Sequence, residues 1–579
     1  MFLDPQTLLP FFGGTYFPKN ARYQLPGFVD LLMRINETFE SKKEELKDQG
    51  DKLSKAFEQL KIPVVDPQIP DKELLDLSRQ NLGKQYDSQH GGFSSAPKFP
   101  TPTKISKLLL YWAHERNKGG SDKDALEMVM TTLTQMARGG IYDHVGGGFC
   151  RYSTDNKWMI PHFEKMLYDN GQLLSLFARA LQFGPDQLFE DAITQTIDWL
   201  QRDLRHPKGG FFSSVDADSS GEEGAFYAWR REELKKILTE DQYLLIETLY
   251  GVDKPANFEN KWIFYRNDSW RSVVDRLQLE PDKARESLLL SRDILFKTRE
   301  TRNAPQTDKK ILTSWNALTI KGILECAHRV NDRKDWITLA SEAIDFIHDH
   351  LWDGETLFAT WKEDKAKHHG YLDDYANLLD ALLMMLETVW REKDAQLAMR
   401  LANSLLDKFY DQDEGGFFFT AHDQETLFTR PKPTMDHELP SGNGIASSAL
   451  LRIGNLMGEH RFIEAAENTL KWARVALERL PSEHSSLLES LQELNYPSQL
   501  IILRGPEEEI AIWKKSLLDQ YAPWRQIYCI PYSIKNETPP YLPGLISADK
   551  QQSPLAYVCQ DLSCSLPISS LEELKSTLN

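Results

Sequence analysis

Residues 139–172 read GGIYDHVGGGFCRYSTDNKWMIPHFEKMLYDNGQ. A glycine-rich turn, two histidines, a glutamate, two lysines and several acids and aromatics share about one helical hairpin. Ionisable side chains at that density are costly to bury and seldom serve packing alone. The stretch contains Asp143-x3-Gly147-Gly148-Phe149, and the pattern recurs as Asp87-x3-Gly91-Gly92-Phe93 and Asp411-x3-Gly415-Gly416-Phe417. Gly209-Gly210-Phe211 keeps the glycines and the Phe, and Trp352-Asp353-Gly354 with Leu357-Phe358 is a worn copy. Neighbouring copies lie about 60 residues apart, except across one wide gap between 211 and 353. A period of that length, with helical patterns between the copies, implies repeated helical hairpins. Paired glycines permit positive φ in a tight turn, the Asp closes an Asx-turn, and the Phe anchors the loop on the core.

Between the turns the chain reads as amphipathic helices. Leu397, Leu401, Leu405 and Phe409 recur every fourth residue in 393–410, and Leu312, Trp315, Leu318, Ile323 and Ala327 form one face of 311–330. Similar patterns occupy 71–86, 102–116, 123–138, 162–183, 187–204, 282–299, 334–350, 371–391, 441–457 and 460–479. These are about twelve helices. Six hairpins with Gly-Gly-Phe returns predict a mainly α fold, a closed six-hairpin (α/α)6 barrel over 71–495, with an insertion at about 211–300 near its mouth. Residues 1–18 read as a strand pair turning at Gly13-Gly14, 28–60 as a charged amphipathic helix, and 61–70 as a Pro-rich linker. Past 495 the pattern alternates. Strands are expected at Gln499–Leu503, Gln526–Ile530 and Ala556–Cys559, with helices at 506–520 and 570–578, so 496–579 forms a small α/β appendage.

The bulk chemistry narrows the function. The net charge of −18 disfavours nucleic acid, whose phosphates call for a basic surface. No apolar run is long enough to span a bilayer, and the first residues lack the basic region of a signal peptide. Five cysteines in 579 residues fit a reducing, cytoplasmic setting. Cys559 and Cys564 are close enough for a disulfide or half a metal site, but two ordinary thiols near a strand end is the plainer reading. No His/Cys/Asp spacing, His368-His369 and His437 included, is a recognised metal site, and neither a metal nor a cofactor is expected.

Several longer motifs carry a resemblance: GGTYFP at 13–18, GGFSSAPKFP at 91–100, GGGFCRYSTDNKWMIPHFEKMLYDNGQL at 146–173, DADSSGEEGAFYAW at 216–229, LTSWNALTIKG at 312–322, GYLDDYANLLDALL at 370–383 and LPSGNG at 439–444. Over essentially the whole chain they resemble the thioredoxin-domain-containing family that includes spermatogenesis-associated protein twenty. The resemblance implies a thioredoxin-like domain joined to a glycosidase-like α/α barrel, the barrel being similar to N-acylglucosamine and cellobiose 2-epimerases and unsaturated-glucuronyl hydrolases. The family's thioredoxin half carries a Cys-x-x-Cys-type motif upstream of GGTYFP. This chain starts just before that segment and no Cys precedes Cys150, so 1–60 is expected to be a remnant of that domain without thiol–disulfide chemistry.

Pro161 suits the first position of a helix, which would place His162 in the first turn with Lys165 or Met166 and Asp169 on its face and Glu164 and Tyr168 in the adjacent row. A helix start favours neutral imidazole, so His162 reads as a general base with Glu164 as its partner. The alternative is a polar network tying helix ends to the Gly-rich loop, which Asp143, His144, Arg151 and Asp155 also crowd. Asp373 and Asp374 open another helix, one as an N-cap and the other as a lumen-facing carboxylate. Asp216 and Asp218 have calcium-loop spacing without the remaining ligands, and a solvated turn accounts for them. Ser314 and Ser441 read as helix caps, and Trp315 as a stacking surface for a sugar ring. The expected enzyme is an epimerase- or hydrolase-like protein acting on a small molecule, a sugar or sugar-like polyol. His144, His162 and Glu164 would move protons, assisted by Asp169, Asp373 and Asp374. Asp143, Arg151, Lys165, Tyr168, Asp216, Asp218, Trp315, Asn316, Tyr375 and Asn443 would contact substrate. The competing reading is a non-catalytic scaffold whose redox chemistry belongs to the thioredoxin half.

Overall fold

A computed structural model describes the chain except residues 23–24, 60–67, 184–186, 220, 331–332, 426–428, 497, 519–520, 535–552, 561–562 and 579. Most of the segment read as a linker thus lies outside the described residues. Near the start, strands Phe2–Leu3 and Pro10–Phe12 pair antiparallel. The connection runs through Asp4–Leu9 and not Gly13-Gly14, because the Asp4 carboxylate accepts the Gln6 and Thr7 N–H groups at 2.8 and 2.9 Å and closes the turn early. Two helices follow, α1 (Phe28–Ser41) and α2 (Lys43–Gln59), where one was expected.

Then come α3 (Glu73–Gln85), α4 (Pro102–Asn117), α5 (Lys123–Arg138), α6 (Leu167–Ala180) and α7 (Gln187–Trp199), followed by α8 (Arg231–Ile237), α9 (Glu240–Leu249), α10 (Trp270–Leu277) and α11 (Pro281–Arg299). The chain continues through α12 (Thr313–Arg329), α13 (Lys334–His350), α14 (Leu372–Thr388), α15 (Glu392–Ser404), α16 (Gly442–Met457), α17 (His460–Arg479) and α18 (Ser485–Asn495) to α19 (Glu507–Leu518) and α20 (Leu571–Leu578).

The fold is mainly α. Helices α4, α6, α12, α14, α16 and α18 form an inner ring, each packing on the next and α18 closing on α4. Outside them pack α5, α7, α13, α15 and α17, each on the inner helix just before it in the chain, and α3 on α4 and α18. Inner helices bury nearly every face, as in α6 and α14, whereas outer helices bury one stripe, so the two kinds differ in hydrophobic pattern. The twelve helices of this ring are not the twelve expected. Helix α11 packs on α9 in the insertion, and the place assigned to it belongs to α18. That helix, SSLLESLQELN, buries Ser485, Ser486, Ser490 and Gln492, which blurred its apolar pattern.

The Gly-Gly-Phe turns all precede inner helices, so they gather at one end of the barrel. Gly147 and Gly148 both have positive φ. A Cβ on Gly147 would lie 2.0 Å from the Gln195 carbonyl oxygen, and one on Gly148 2.8 Å from the Trp199 ring. The turn therefore lies flush on outer helix α7 and admits no side chain there. At the other end, strands Arg525–Pro531, Gln499–Gly505, Leu555–Gln560 and Ser563–Cys564 form a sheet in that order, the first pair parallel. Period-two alternation divides it. Leu500, Ile502, Tyr528 and Ile530 join the barrel core, and Ile501, Leu503 and Ile527 pack under α19 and α20. This appendage closes the rear of the barrel. Its Cys559 and Cys564, read as ordinary thiols, are direct cross-strand neighbours joined by a disulfide.

Candidate functional site

The front of the barrel is built on a repeated clamp. The fourth residue of α6, α12 and α14 and the second of α16 each hold a turn at the start of the helix. Phe149, Phe211 and Phe417 donate their N–H to the Oδ1 of Asn170, Asn316 and Asn443 at 2.7, 2.8 and 2.7 Å, and each amide donates back to the same Phe carbonyl at 2.9–3.0 Å. In the worn copy Tyr375 takes the amide's place, its hydroxyl accepting the Leu357 N–H at 3.0 Å. Asn316, Asn443 and Tyr375, expected to contact substrate, are therefore buried parts of the framework. Asn170, missed in the sequence, belongs to the same set, and its spacing of 21 from Phe149, against 105 and 26 for the other pairs, gave no repeated signal.

A second clamp neutralises the turn acids. Lys98, Lys165 and Lys432 donate to Asp87, Asp143 and Asp411 at 2.7, 2.8 and 2.7 Å. Lys165 also bonds the Gly147 carbonyl at 2.7 Å, and Arg299 of the insertion reaches both Asp143 oxygens at 2.8 and 2.9 Å. Burial would raise the Asp143 carboxyl, but Arg299 and Lys165 outweigh it and hold it well below the usual range. Asp143 and Lys165 are thus buried and paired with each other. His144 lies on the insertion side, its Nε2 3.0 Å from the Gly139 carbonyl and its ring against Tyr142 and Tyr250. Burial pushes its pKa down to about 3, and it does not join His162.

His162 does not start a helix. Pro161–His162 pairs with Tyr152–Ser153, Lys165–Met166 pairs with Ser214–Val215, and α6 begins at Leu167. The local period is two. Phe163 and Lys165 turn into the core while His162 and Glu164 are half-buried on the opposite side. Glu164 accepts from Arg151 at 3.0 Å and lies 3.6 Å from His162 Nε2. His162 Nδ1 lies 2.6 Å from Glu223, which the insertion supplies on the hairpin Asp218–Ser219/Glu222–Glu223, and the imidazole stacks on Tyr152. Glu164 is the largest influence raising the His162 pKa, with Glu223 adding to it despite the shorter contact, and both outweigh partial burial. Reciprocally, His162 and then Arg151 hold Glu164 low against its own burial. Both glutamates thus favour the protonated imidazole more than in an isolated histidine, where the helix start expected in the sequence would have favoured the neutral form. Asp216 and Asp218 are exposed, and their hairpin contributes Glu223, the residue the sequence did not single out.

Around this corner Tyr168 and Trp315 meet edge to face at 4.7 Å, with Met166, Leu318 and Leu439 beside them. Asp169 is 3% exposed and its Oδ2 has no hydrogen-bond partner. Burial raises its pKa well above the usual range, with Glu438 and Glu164 adding to the rise and Arg151 opposing it. At the start of α14 the two acids differ. Asp374 caps, accepting the Ser314 and Tyr371 N–H groups at 2.9 Å, and burial still lifts it to about 6. Asp373 has no such partner and is lifted to about 7 by burial and by Asp374.

Behind the mouth two connected cavities, of about 80 and 160 Å³, run down the lumen and share Ser106, Arg179, Lys321, Asp380 and Glu489. The front cavity is lined by Thr103, Gln172 and Ser175 and roofed by Pro440, whose loop is strapped to α18 by Asp436 accepting the Ser441 and Ser486 N–H groups at 2.8 and 2.9 Å. Among the described residues no group of three or more His, Cys, Asp or Glu is placed to hold a metal ion, and no helix is long and apolar enough to cross a membrane.

Residues 1–58 match the family model Thioredox_DsbH, a protein of unknown function, DUF255. Among solved structures the chain is similar to D-mannose isomerase (TM-score 0.45, 10% identity, 70% of this chain and 86% of that one). It is also similar to cellobiose 2-epimerase from Bacillus thermoamylovorans (0.44, 10%, 70% and 88%) and unsaturated glucuronyl hydrolase from Bacillus sp. GL1 (0.40, 13%, 73% and 94%). An uncharacterized protein of Caenorhabditis elegans is 26% identical over 100% of this chain and 83% of its own length. Spermatogenesis-associated protein 20 of Homo sapiens is 30% identical over 99% of this chain and 78% of its own length. The Rattus norvegicus protein of that name is 31% identical over the same shares, and on that likeness the chain belongs to the spermatogenesis-associated protein 20 family.

Proposed function

We propose that the chain is an enzyme that binds a hydroxyl-rich small molecule, a sugar or a sugar-like polyol, at the barrel mouth and moves protons on it, as in epimerisation or hydrolysis. The observation that carries this reading is the separation of proton affinities among residues at the end of the barrel where α6 and α14 begin. Glu164 is held low, His162 is held high, and Asp373 is lifted to about 7. Groups whose environments push their pKa values apart are what acid–base catalysis requires. Hydroxyl and amide groups of Thr103, Ser106, Gln172 and Ser175 line the way inward, and the Tyr168–Trp315 corner offers an apolar face for a ring. In this reading His162 is the acid, Asp373 the base, and Arg151 and Glu223 position Glu164 and His162.

The test is solvent-deuterium incorporation into a panel of aldoses, ketoses, uronates and N-acetylated sugars, alongside release of new reducing ends from disaccharides. Activity that His162→Ala abolishes, with the melting temperature preserved, is the expected result. A panel that neither binds nor reacts, with His162→Ala merely unstable, would move the assignment to a second reading, a scaffold associated with thioredoxin-like chemistry. That reading draws on the match at residues 1–58 and on the exposed apolar side chains Leu3, Phe12, Tyr16, Val29 and Met33 there.

A further inference from the structure

The lumen contains more carboxyl groups than its paired cations neutralise. Arg179 grips both oxygens of Glu325 at 2.7 Å, Lys321 donates to Asp380 at 2.6 Å, and Arg452 bridges Asp380 at 3.1 Å and Glu493. Three cations meet three carboxylates and the network is closed. Glu387 on α14 and Glu489 on α18 stand outside it. Both line the rear cavity, Glu489 lines the front one as well, and among the described residues neither carboxylate has a cation within 4.0 Å.

The surroundings do not supply the missing charge. Arg329 and Arg525 also line the rear cavity, but they donate to the Leu518 carbonyl and to Gln499 and the Leu578 carbonyl and not to either carboxylate. Lys514 is bound to the main-chain carbonyl of Glu387 and not to its carboxylate. Lys107, the lysine nearest Glu489 in effect, donates to Gln492 at 2.5 Å and is itself pushed down to about 7 by burial. Burial lifts Glu387 to about 7 against Arg452 and Lys514, with Glu325 adding to the rise. Glu489 is raised as well, against Arg179, Ser106, Lys107 and Lys321. One observation is independent of any titration: Glu489 Oε1 is buried and has no hydrogen-bond partner. A buried acceptor left unmet costs free energy that a ligand donor would recover.

We propose that the ligand of this lumen carries a positively charged nitrogen, an alkylammonium or guanidinium group, which Glu489 holds from the front cavity with Glu387 as the second acceptor behind it. The proposal deepens the polyol reading and rests on it for the body of the ligand, an amine-bearing polyol, while the charged nitrogen rests on Glu489 and Glu387 alone. An ammonium brings three donors and a full charge to an orphaned oxygen, whereas a hydroxyl brings one donor and none.

The experiment is calorimetric titration of the full chain at pH 7.5 with sorbitol, with D-glucamine (the same polyol with one terminal hydroxyl replaced by an amine) and with putrescine. D-Glucamine is expected to bind tighter than sorbitol by roughly tenfold or more, the worth of one charge-assisted hydrogen bond. The preference should grow from pH 6 to pH 8 as Glu387, lifted to about 7, ionises. Glu489→Gln and, as a second variant, Glu387→Gln should shrink it, with circular dichroism establishing that each folds. Equal binding of sorbitol and D-glucamine overturns the charged-nitrogen proposal and leaves the polyol reading standing. Putrescine binding that Glu489→Gln weakens, with no polyol binding, does the reverse. A preference for D-glucamine that neither variant changes, or no binding of any of the three, overturns the proposal.

Discussion

Replacing Asn316 by Ala separates framework from site. Its side chain is fully buried and makes three hydrogen bonds: Oδ1 accepts the Phe211 N–H at 2.8 Å, and Nδ2 donates to the Phe211 and Leu312 carbonyls at 3.0 and 2.9 Å. Each contributes about 1 kcal/mol net, and the stranded Phe211 N–H adds a desolvation cost of about 1–3 kcal/mol, so a loss of roughly 4–6 kcal/mol is expected. That is a large fraction of the ~5–15 kcal/mol that holds a typical protein folded. Urea titration should show the midpoint falling with the slope unchanged. Asn316→Asp keeps the acceptor and loses the donor, so it should fall between wild type and Ala. Asn170→Ala and Asn443→Ala repeat the test on identical geometry. An Asn316→Ala protein within about 0.5 kcal/mol of wild type that nonetheless loses ligand binding would refute the reasoning, because the amide would then serve a ligand and not the turn.

Other perturbations follow from the charges. Asp143→Ala strands Arg299 and Lys165 in the interior and should cost about 3–5 kcal/mol by thermal or chemical denaturation. The depressed carboxyl contributes stability above the ordinary Asp range and loses it as pH falls through the folded value, so wild type but not the variant should show that acid limb. Glu223→Gln should lower the His162 pKa in an NMR titration. The raised imidazole contributes stability below the ordinary histidine pKa and loses it as pH climbs through the folded value, a dependence the variant should show less of. Asp373 keeps its proton in the folded state up to about pH 7 while the unfolded chain releases it near 3.8, so stability falls as pH rises between them. Asp373→Asn should remove that decline and abolish turnover, measured by melting curves and the exchange assay respectively.

How far the sequence could be read depended on whether a feature was local. The Asp-x3-Gly-Gly-Phe turns, the helical periods and the strands Gln499–Leu503, Gln526–Ile530 and Ala556–Cys559 are written in spacing and composition, and the described elements fall where those patterns lie. Helix α18 was missed because serines and a glutamine occupy positions that an amphipathic pattern reserves for apolar residues. In Pro161–Lys165 a first-turn Pro pointed to a helix, but pairing with Tyr152–Ser153 and Ser214–Val215 and the pull of Lys165 on Asp143 keep the chain extended. The half-buried, buried alternation of His162, Phe163, Glu164 and Lys165 is the trace of that strand.

The candidate residues divided in the same way. Short-range chemistry identified His162, Glu164, Arg151 and Tyr168 as neighbours, and one of Asp373 and Asp374 as a cap without saying which. Residue types alone could not tell a clamp from a contact. Asn316, Asn443, Tyr375, Lys165 and Asp143 have the polarity of binding groups, and their partners lie in turns 18 to 156 positions away. Nor could they supply Glu223, which reaches His162 across 61 residues, or the lumen charges Arg179, Glu325, Asp380, Arg452 and Glu489, each of which reads as one solvated residue on its own helix. Hydrophobic period, turn chemistry and net charge are properties of a few consecutive residues, so the chain's order of hairpins was legible in advance. Which polar groups meet, which are left unpaired and where their protons sit are set by ring closure, because only packing brings distant helices within hydrogen-bond range and removes the water between them.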